Sequence, residues 1–319
     1  MEHTRDSIGA MLDRQGVVIL DGGLATELER LGADLNDPLW SAKVLAEAPH
    51  LIERVHYDYF QAGADVATTA TYQATFEGFA RRGIGKKAAA DLMSTSVGLA
   101  RDARDRFMSE VADGRRPPLI AASIGCYGAW LADGSEYCGD YGLTAAKLTA
   151  FHRPRMEVLV GSDPDILACE TIPCQVEAEA LVRLLEDFPG YDAWMSFSCH
   201  DNGRVRHGEP LADCVAVAAQ SDRVVAVGVN CTAPSFVPEL LAIAKMATDK
   251  PLVIYPNSGD TWDAKKKIWI GDPDDVDFSD RAREWYDAGA RLIGGCCRTN
   301  PATIRGIAES LHAWVPHPG

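Results

Sequence analysis

The sequence predicts an α/β protein, a single-domain (β/α)8 TIM barrel over residues 1–319. Three observations carry that expectation. Short apolar runs recur eight times, segments of helical period separate them, and no linker or shift in composition divides the chain. A doubly wound open sheet is the alternative. It would need a Gly-x-Gly-x-x-Gly turn after the first run, and that turn is missing.

The runs cover residues 17–21, 64–71, 119–125, 166–171, 193–199, 224–231, 252–258 and 292–297. Val, Ile and Ala dominate, and most runs lack polar alternation, as do strands covered by helices on both faces. After the first run, residues 41–61 carry apolar side chains at helical spacing, with Pro49 marking a break between two helices. Residues 85–107 form an Ala-rich helix with scattered Arg and Asp. Residues 144–160 begin at Thr144, whose hydroxyl suits a helix cap. Helical segments 175–188, 211–220, 237–247, 279–288 and 301–314 then follow one run each. Two stretches read as long loops over the barrel mouth, where loops after strands build active sites. Residues 127–141 follow the third run; residues 259–277 follow the seventh and hold Trp262, Trp269 and three lysines.

Bulk composition narrows the function classes. Hydrophobic residues make up 47% of the chain, enough for a full core. A net charge of −15 disfavours nucleic acid, whose phosphates need a basic surface. No stretch approaches the ~20 apolar residues of a membrane helix. The first residues, Met1-Glu2-His3-Thr4-Arg5-Asp6, are polar rather than the apolar core of a secretion signal. Nine cysteines, an odd number in a long chain, argue against a disulfide framework and for a reducing cytoplasm.

Barrel chemistry belongs at the C-terminal ends of strands. Those ends hold Asp21, Thr69, Thr71, Glu170, Cys199, Asn230, Cys231, Cys296 and Cys297. One strand separates the sixth from the eighth, so their mouths lie within ~10 Å. Thiolates from Cys231, Cys296 and Cys297 can hold Zn2+ and leave its fourth position open, the mark of a catalytic site. Adjacent strand residues point to opposite faces, so the cysteine pair shares one ion only if the chain bends. Gly294 and Gly295 make that bend cheap. An ion of +2 with three thiolates sums to −1. A substrate thiol in the fourth position would lose its proton yet stay electron-rich, suited to attack on carbon. Cys199 is the rival third ligand. A redox protein with a vicinal disulfide at Cys296–Cys297 and a closed, non-catalytic zinc protein are the competing readings.

Glu170 ends an apolar strand, where an unpaired carboxylate is costly; a substrate ammonium would pair it. Asp21 would share that ammonium, and the amides of Gly22 and Gly23 would meet a carboxylate, although Asp-Gly is also an ordinary turn. Together these groups describe an amino acid with a thiol side chain.

Larger motifs point the same way. They include Leu20-Asp21-Gly22-Gly23-Leu24-Ala25-Thr26-Glu27-Leu28, Trp40-Ser41-Ala42-Lys43, Gly63-Ala64 and Thr71-Tyr72-Gln73-Ala74-Thr75. Ala168-Cys169-Glu170-Thr171-Ile172-Pro173, Gly228-Val229-Asn230-Cys231, Tyr255-Pro256-Asn257-Ser258-Gly259 and Gly294-Gly295-Cys296-Cys297-Arg298-Thr299 continue the set. Over nearly its whole length the chain resembles the zinc-dependent homocysteine S-methyltransferases. The resemblance implies a (β/α)8 barrel, zinc on Cys231, Cys296 and Cys297, and homocysteine as methyl acceptor. It puts Asp21, Gly22, Thr69 and Glu170 at the amino-acid end of that substrate, with Asn230 beside them. Residues 40–43, 129–141 and 255–259 resemble the branch that uses a sulfonium donor, S-methylmethionine or S-adenosylmethionine, rather than betaine. Tyr127, Trp130, Asp133 and Glu136 are the expected donor-side contacts, with an ordinary lid as the alternative. Two departures stand out: Gly23 replaces an Ala of close relatives, and Cys126 stands where relatives often carry Pro. The implied reaction is direct methyl transfer to the homocysteine sulfur, giving methionine.

Overall fold

A computed structural model describes residues 8–35, 41–111, 115–259, 261–263, 268–270 and 277–315. Its strands are β1 (Val18–Ile19), β2 (Val66–Thr68), β3 (Leu119–Gly125), β4 (Ile166–Ile172), β5 (Ala193–Phe197), β6 (Val224–Asn230), β7 (Leu252–Tyr255), β8 (Thr261–Asp263), β9 (Ile268–Ile270) and β10 (Ala290–Ile293). Eight of them form one parallel sheet in the order β1-β10-β7-β6-β5-β4-β3-β2. A parallel bridge from Leu20 to Val66 joins the two ends and closes the expected barrel. β8 and β9 form an antiparallel hairpin within the stretch read as a long loop. Residues 260, 264–267 and 271–276 of that stretch, with its three lysines, lie outside the described residues, as does Trp40.

Burial on both faces explains why the strands show no polar alternation. Val18, Leu20, Val66, Ala121, Ala168, Trp194, Ala226, Val253 and Leu292 form one buried cluster inside the barrel. Their neighbours, such as Ile19, Ala67, Ile120, Leu167, Met195, Val227 and Ile254, belong to the outer cluster against the helices. The small alanines leave room for the Trp194 ring, as layers in a barrel require. Ile8 and Met11, from an unanticipated helix Ile8–Gln15, join the inner cluster.

The helices obey their local signals. Pro49 occupies the first turn of Pro49–Gln61 and separates it from Ser41–Glu47. Thr144 caps Ala145–Gly161 by accepting from the Lys147 amide. Asn300 builds a reciprocal capping box with Thr303 at the start of Pro301–Trp314. Short helices Leu24–Arg30, Phe76–Arg81 and Tyr127–Leu131 fall where no element was expected. They are too short for periodicity to reveal. Several strands are shorter than the apolar runs. The eighth stops at Ile293, so Cys296 and Cys297 lie beyond it. Among the described residues no helix is long and apolar enough to cross a membrane.

Gly228 marks the tightest approach in the barrel wall: a Cβ there would lie 1.8 Å from the Val253 carbonyl oxygen. Gly228→Ala should therefore push β6 from β7 and destabilise the fold by about 3 kcal/mol, read as a lower midpoint in thermal or urea unfolding.

Candidate metal centre and the pocket beside it

Beyond β10 the chain bonds alternately to both neighbouring strand ends. The Gly294 amide donates to Ile254 O (3.0 Å), that of Gly295 to Asp21 O (3.1 Å) and that of Cys296 to Pro256 O (2.8 Å). Gly294 and Gly295 are needed for close approach rather than for a left-handed bend. A Cβ would meet Leu20 at 2.6 Å in one case and Thr299 Oγ1 at 2.3 Å in the other. The turn closes where the Thr299 hydroxyl donates to Cys296 O (2.7 Å) and Arg298 takes a φ of 65°. Across the mouth, Cys231 leaves β6 with a φ of 48°, costly for a residue other than glycine.

These two turns bring three sulfurs together. Cys231 Sγ lies 3.8 Å from Cys297 Sγ, which lies 4.0 Å from Cys296 Sγ, and all three fall within 4.8 Å of one another. Tetrahedral zinc with arms of ~2.3 Å would set its sulfur ligands about 3.8 Å apart. The donor set therefore fits zinc in both chemistry and spacing, with one position left over. Cys199 stays outside the group: it is buried, bridges to Val205, and its amide donates to Thr232. A disulfide sulfur pair would sit ~2.05 Å apart, so Cys296 and Cys297 are free thiols. Thiol donation from Cys296 and Cys297 holds Cys231 well below the usual thiol range, with help from Arg206 and the Tyr137 hydroxyl. The two donors are correspondingly pushed up.

Beside the thiols lie Asp21 and Glu170. Burial pushes Glu170 up to about 7, against hydrogen bonds from Ser123 and Tyr255 and with a smaller upward push from the Cys231 charge. Burial also pushes Asp21 up to about 8, against donation from the Thr68 amide (2.7 Å) and hydroxyl (3.0 Å), with Glu170 adding to the rise. Tyr255 reaches Glu170 Oε2 at 3.2 Å and is itself held by Trp194 (3.0 Å) and Ser196 (2.6 Å).

Glu170 owes its aim to a bulge. Pairing between β4 and β5 shifts between Cys169 and Ile172, and Thr171 takes a φ of 60°. Such bulges re-aim a strand side chain. Asn230 holds this one: its Oδ1 accepts from the Thr171 amide (2.8 Å) and the Ser196 hydroxyl (2.9 Å), and its Nδ2 donates to Thr171 Oγ1 (2.8 Å). Fully buried, Asn230 is a brace between strands rather than a group open to substrate. Thr69 is also committed, 2.8 Å from the Thr71 hydroxyl and accepting from the Ser123 amide (3.0 Å). The Gly23 amide, expected to meet a carboxylate, donates to Thr299 Oγ1 (3.1 Å) instead. Gly22 packs so closely on Tyr59 that a Cβ would lie 2.8 Å from its hydroxyl.

Residues 127–141 are folded rather than an open loop: the helix Tyr127–Leu131 is followed by a tight turn at Ser135–Tyr137. Tyr127 stacks edge-on with Trp130, Tyr141 and Phe151, and Arg81 covers the Trp130 ring at 4.6 Å. These two expected donor contacts thus line an aromatic cluster. Beneath it, the buried Glu177 accepts from the Tyr127 amide (2.6 Å) and pairs with His152 (2.8 Å), which contacts Arg155 (2.7 Å). Glu136 lies nearer the thiols. Burial raises its carboxyl to about 7, and the Cys231 charge adds to the rise. Tyr137 was not singled out from the sequence, yet its hydroxyl helps to hold the Cys231 thiol down.

Asn230→Ala would strand the Thr171 amide and hydroxyl without partners. Unfolding should show a loss of about 3 kcal/mol, read as a lower thermal or urea midpoint.

Comparison with known proteins places the chain. The family model described as homocysteine S-methyltransferase matches residues 18–311. Homocysteine S-methyltransferase YbgG of Bacillus subtilis (strain 168) is 51% identical over 307 residues, 96% of each chain. Homocysteine S-methyltransferase 4 of Zea mays is 50% identical over 313 residues, covering 95% of this chain and 92% of its own. Among solved structures, the metallated form of the homocysteine methyltransferase MmuM from Escherichia coli superposes with a TM-score of 0.85 at 46% identity, covering 94% of this chain and 98% of that one. The chain belongs to the homocysteine S-methyltransferase family.

Proposed function

We propose that the protein transfers a methyl group from a sulfonium, S-methylmethionine or S-adenosylmethionine, to the thiol of homocysteine, with Zn2+ held by Cys231, Cys296 and Cys297. One observation carries this: three sulfurs at the spacing of a tetrahedral site stand beside the buried carboxyls of Asp21 and Glu170. A single amino acid with a thiol side chain satisfies both. Bound zinc supplies a Lewis acid that brings a thiol, whose ordinary pKa is ~8.5, into its thiolate form at neutral pH.

The chain supplies the positioning. Asp21 and Glu170, as carboxylates, hold the homocysteine ammonium and fix the distance from its head to its sulfur. Asn230 maintains the bulge that aims Glu170, while Thr69 and Ser123 buttress the strands on either side. The homocysteine thiol proton leaves to solvent. Its sulfur then bonds the donor's methyl carbon as the sulfonium C–S bond breaks. The electron pair of that bond stays on the donor sulfur, which departs as a neutral thioether, and methionine is formed. Holding both sulfurs in line supplies much of the rate. The cationic donor is drawn to the negative charge of the thiolates.

Zinc content and methionine formation test this together. Cys231→Ala should lose both, with activity below about one hundredth of wild type and an unchanged far-UV spectrum. An active, metal-free wild type would sink the assignment, and betaine outperforming both sulfonium compounds would move the enzyme to the other donor class. Glu170→Gln should raise the KM for homocysteine about tenfold and leave zinc bound. Both carboxyls must ionise to hold an ammonium, and both are raised, to about 7 and about 8. The kcat/KM for homocysteine should therefore fall as pH drops through that window; a flat profile there would refute their role.

A further inference from the structure

Two buried polar atoms near the thiols lack a partner, and they carry opposite charges. Glu136 Oε2 and Arg206 Nε are both shielded from solvent and unbonded. Tyr137 is close to both. Glu136 precedes it in the turn Ser135–Tyr137, and the Arg206 guanidinium sits 5.1 Å from the centre of its ring. Arg206 and the Tyr137 hydroxyl both help to hold the Cys231 thiol down, and the Cys231 charge acts on Glu136, so all three stand near the thiol group. Among the described residues neither Glu136 Oε2 nor Arg206 Nε has a hydrogen-bond partner, although their charges are opposite. Leaving either atom unpaired is expensive, unlike the satisfied carboxyl oxygens of Glu170 and Asp21. An anion and a cation held apart with free bonding capacity complement the head of an α-amino acid, whose ammonium and carboxylate share one carbon.

We propose that Glu136 and Arg206 hold the α-amino-acid head of the methyl donor, Glu136 taking its ammonium and Arg206 its carboxylate, with Tyr137 beside them and the donor sulfonium directed to the thiol group. This rests on the sulfonium reading above and assigns residues to the α-amino-acid head that both S-methylmethionine and S-adenosylmethionine carry. The site also separates the two substrates: homocysteine is held by Asp21 and Glu170, the donor by Glu136 and Arg206. Folding makes the arrangement sturdy. The segment that carries Glu136 is pinned at its start by Glu177, and Gly128 packs against the Glu136 amide so tightly that a Cβ would lie 2.4 Å from it.

The test uses the full-chain, zinc-loaded enzyme with three probes. These are S-methylmethionine, carboxypropyl-dimethylsulfonium, which lacks the amine, and aminopropyl-dimethylsulfonium, which lacks the carboxylate. Wild type should prefer S-methylmethionine over either truncated donor by about tenfold or more in kcat/KM. Glu136→Gln should abolish the preference over the amine-lacking donor, and Arg206→Gln that over the carboxylate-lacking donor. Both changes should appear in the donor KM, with zinc content and homocysteine KM as controls. The inference falls if wild type uses the truncated donors equally well, if the preferences survive in the variants, or if homocysteine KM and zinc content shift as much as donor KM. Transfer from no sulfonium at all would overturn the underlying function as well, so the two failures are told apart.

Discussion

The clasp of Asn230 on Thr171 is the constraint on which the site depends. Thr171 is β-branched and sits in left-handed backbone, a conformation that persists only when its surroundings impose it. Asn230 imposes it with both ends of its amide. The bulge aims Glu170 toward the mouth, and the next residue after Asn230 is Cys231, also left-handed. One buried side chain thus sets the Glu170 carboxyl and one thiol at once. The strain is offset by hydrogen bonds made where no water competes.

A second knot fixes the other two thiols. The Gly22-Gly23 turn, Gly294, Gly295 and Thr299 pack so closely that none of the four glycines tolerates a Cβ without displacement. Thr299 accepts from the Gly23 amide and donates to Cys296 O, joining the first strand end to the last. The Gly22-Gly23 sequence therefore serves backbone approach. The pairing of β1 with β10 therefore fixes the turn that carries Cys296 and Cys297, while Cys231 arrives from the end of β6.

The wall beyond the thiols is built differently. Residues 127–141 rest on a fully buried Glu177–His152–Arg155 chain. Burial lowers His152, keeping it neutral, while the opposite charges of Glu177 and Arg155 offset one another. Arg155 also donates to the carbonyls of Gly125 and Tyr72, tying the segment to the end of β3. Removing one member would leave a buried charge uncompensated, which costs more than the pair contributes. That rigidity gives Glu136 and Tyr137 a defined place.

Local chemistry was sufficient for the barrel, the helix cap at Thr144, the break at Pro49, and the gathering of Cys231, Cys296, Cys297, Asp21 and Glu170 at one end. Parallel strands buried on both faces read as apolar runs, and their shared direction sends every run's last residues to the same mouth. Tertiary structure alone decided what those residues do there. Asn230 and Cys231 are neighbours in sequence, yet one braces a bulge and the other offers a sulfur, because partners 59 residues away claim the amide. Gly294 and Gly295 read as flexibility and turned out to be clearance, since the atoms that crowd them come from the first strand and from Thr299. Tyr137 and Arg206 carried no signal of their own: their meaning lies in contacts between segments far apart in the chain, and no local pattern records which distant backbone will arrive beside a side chain.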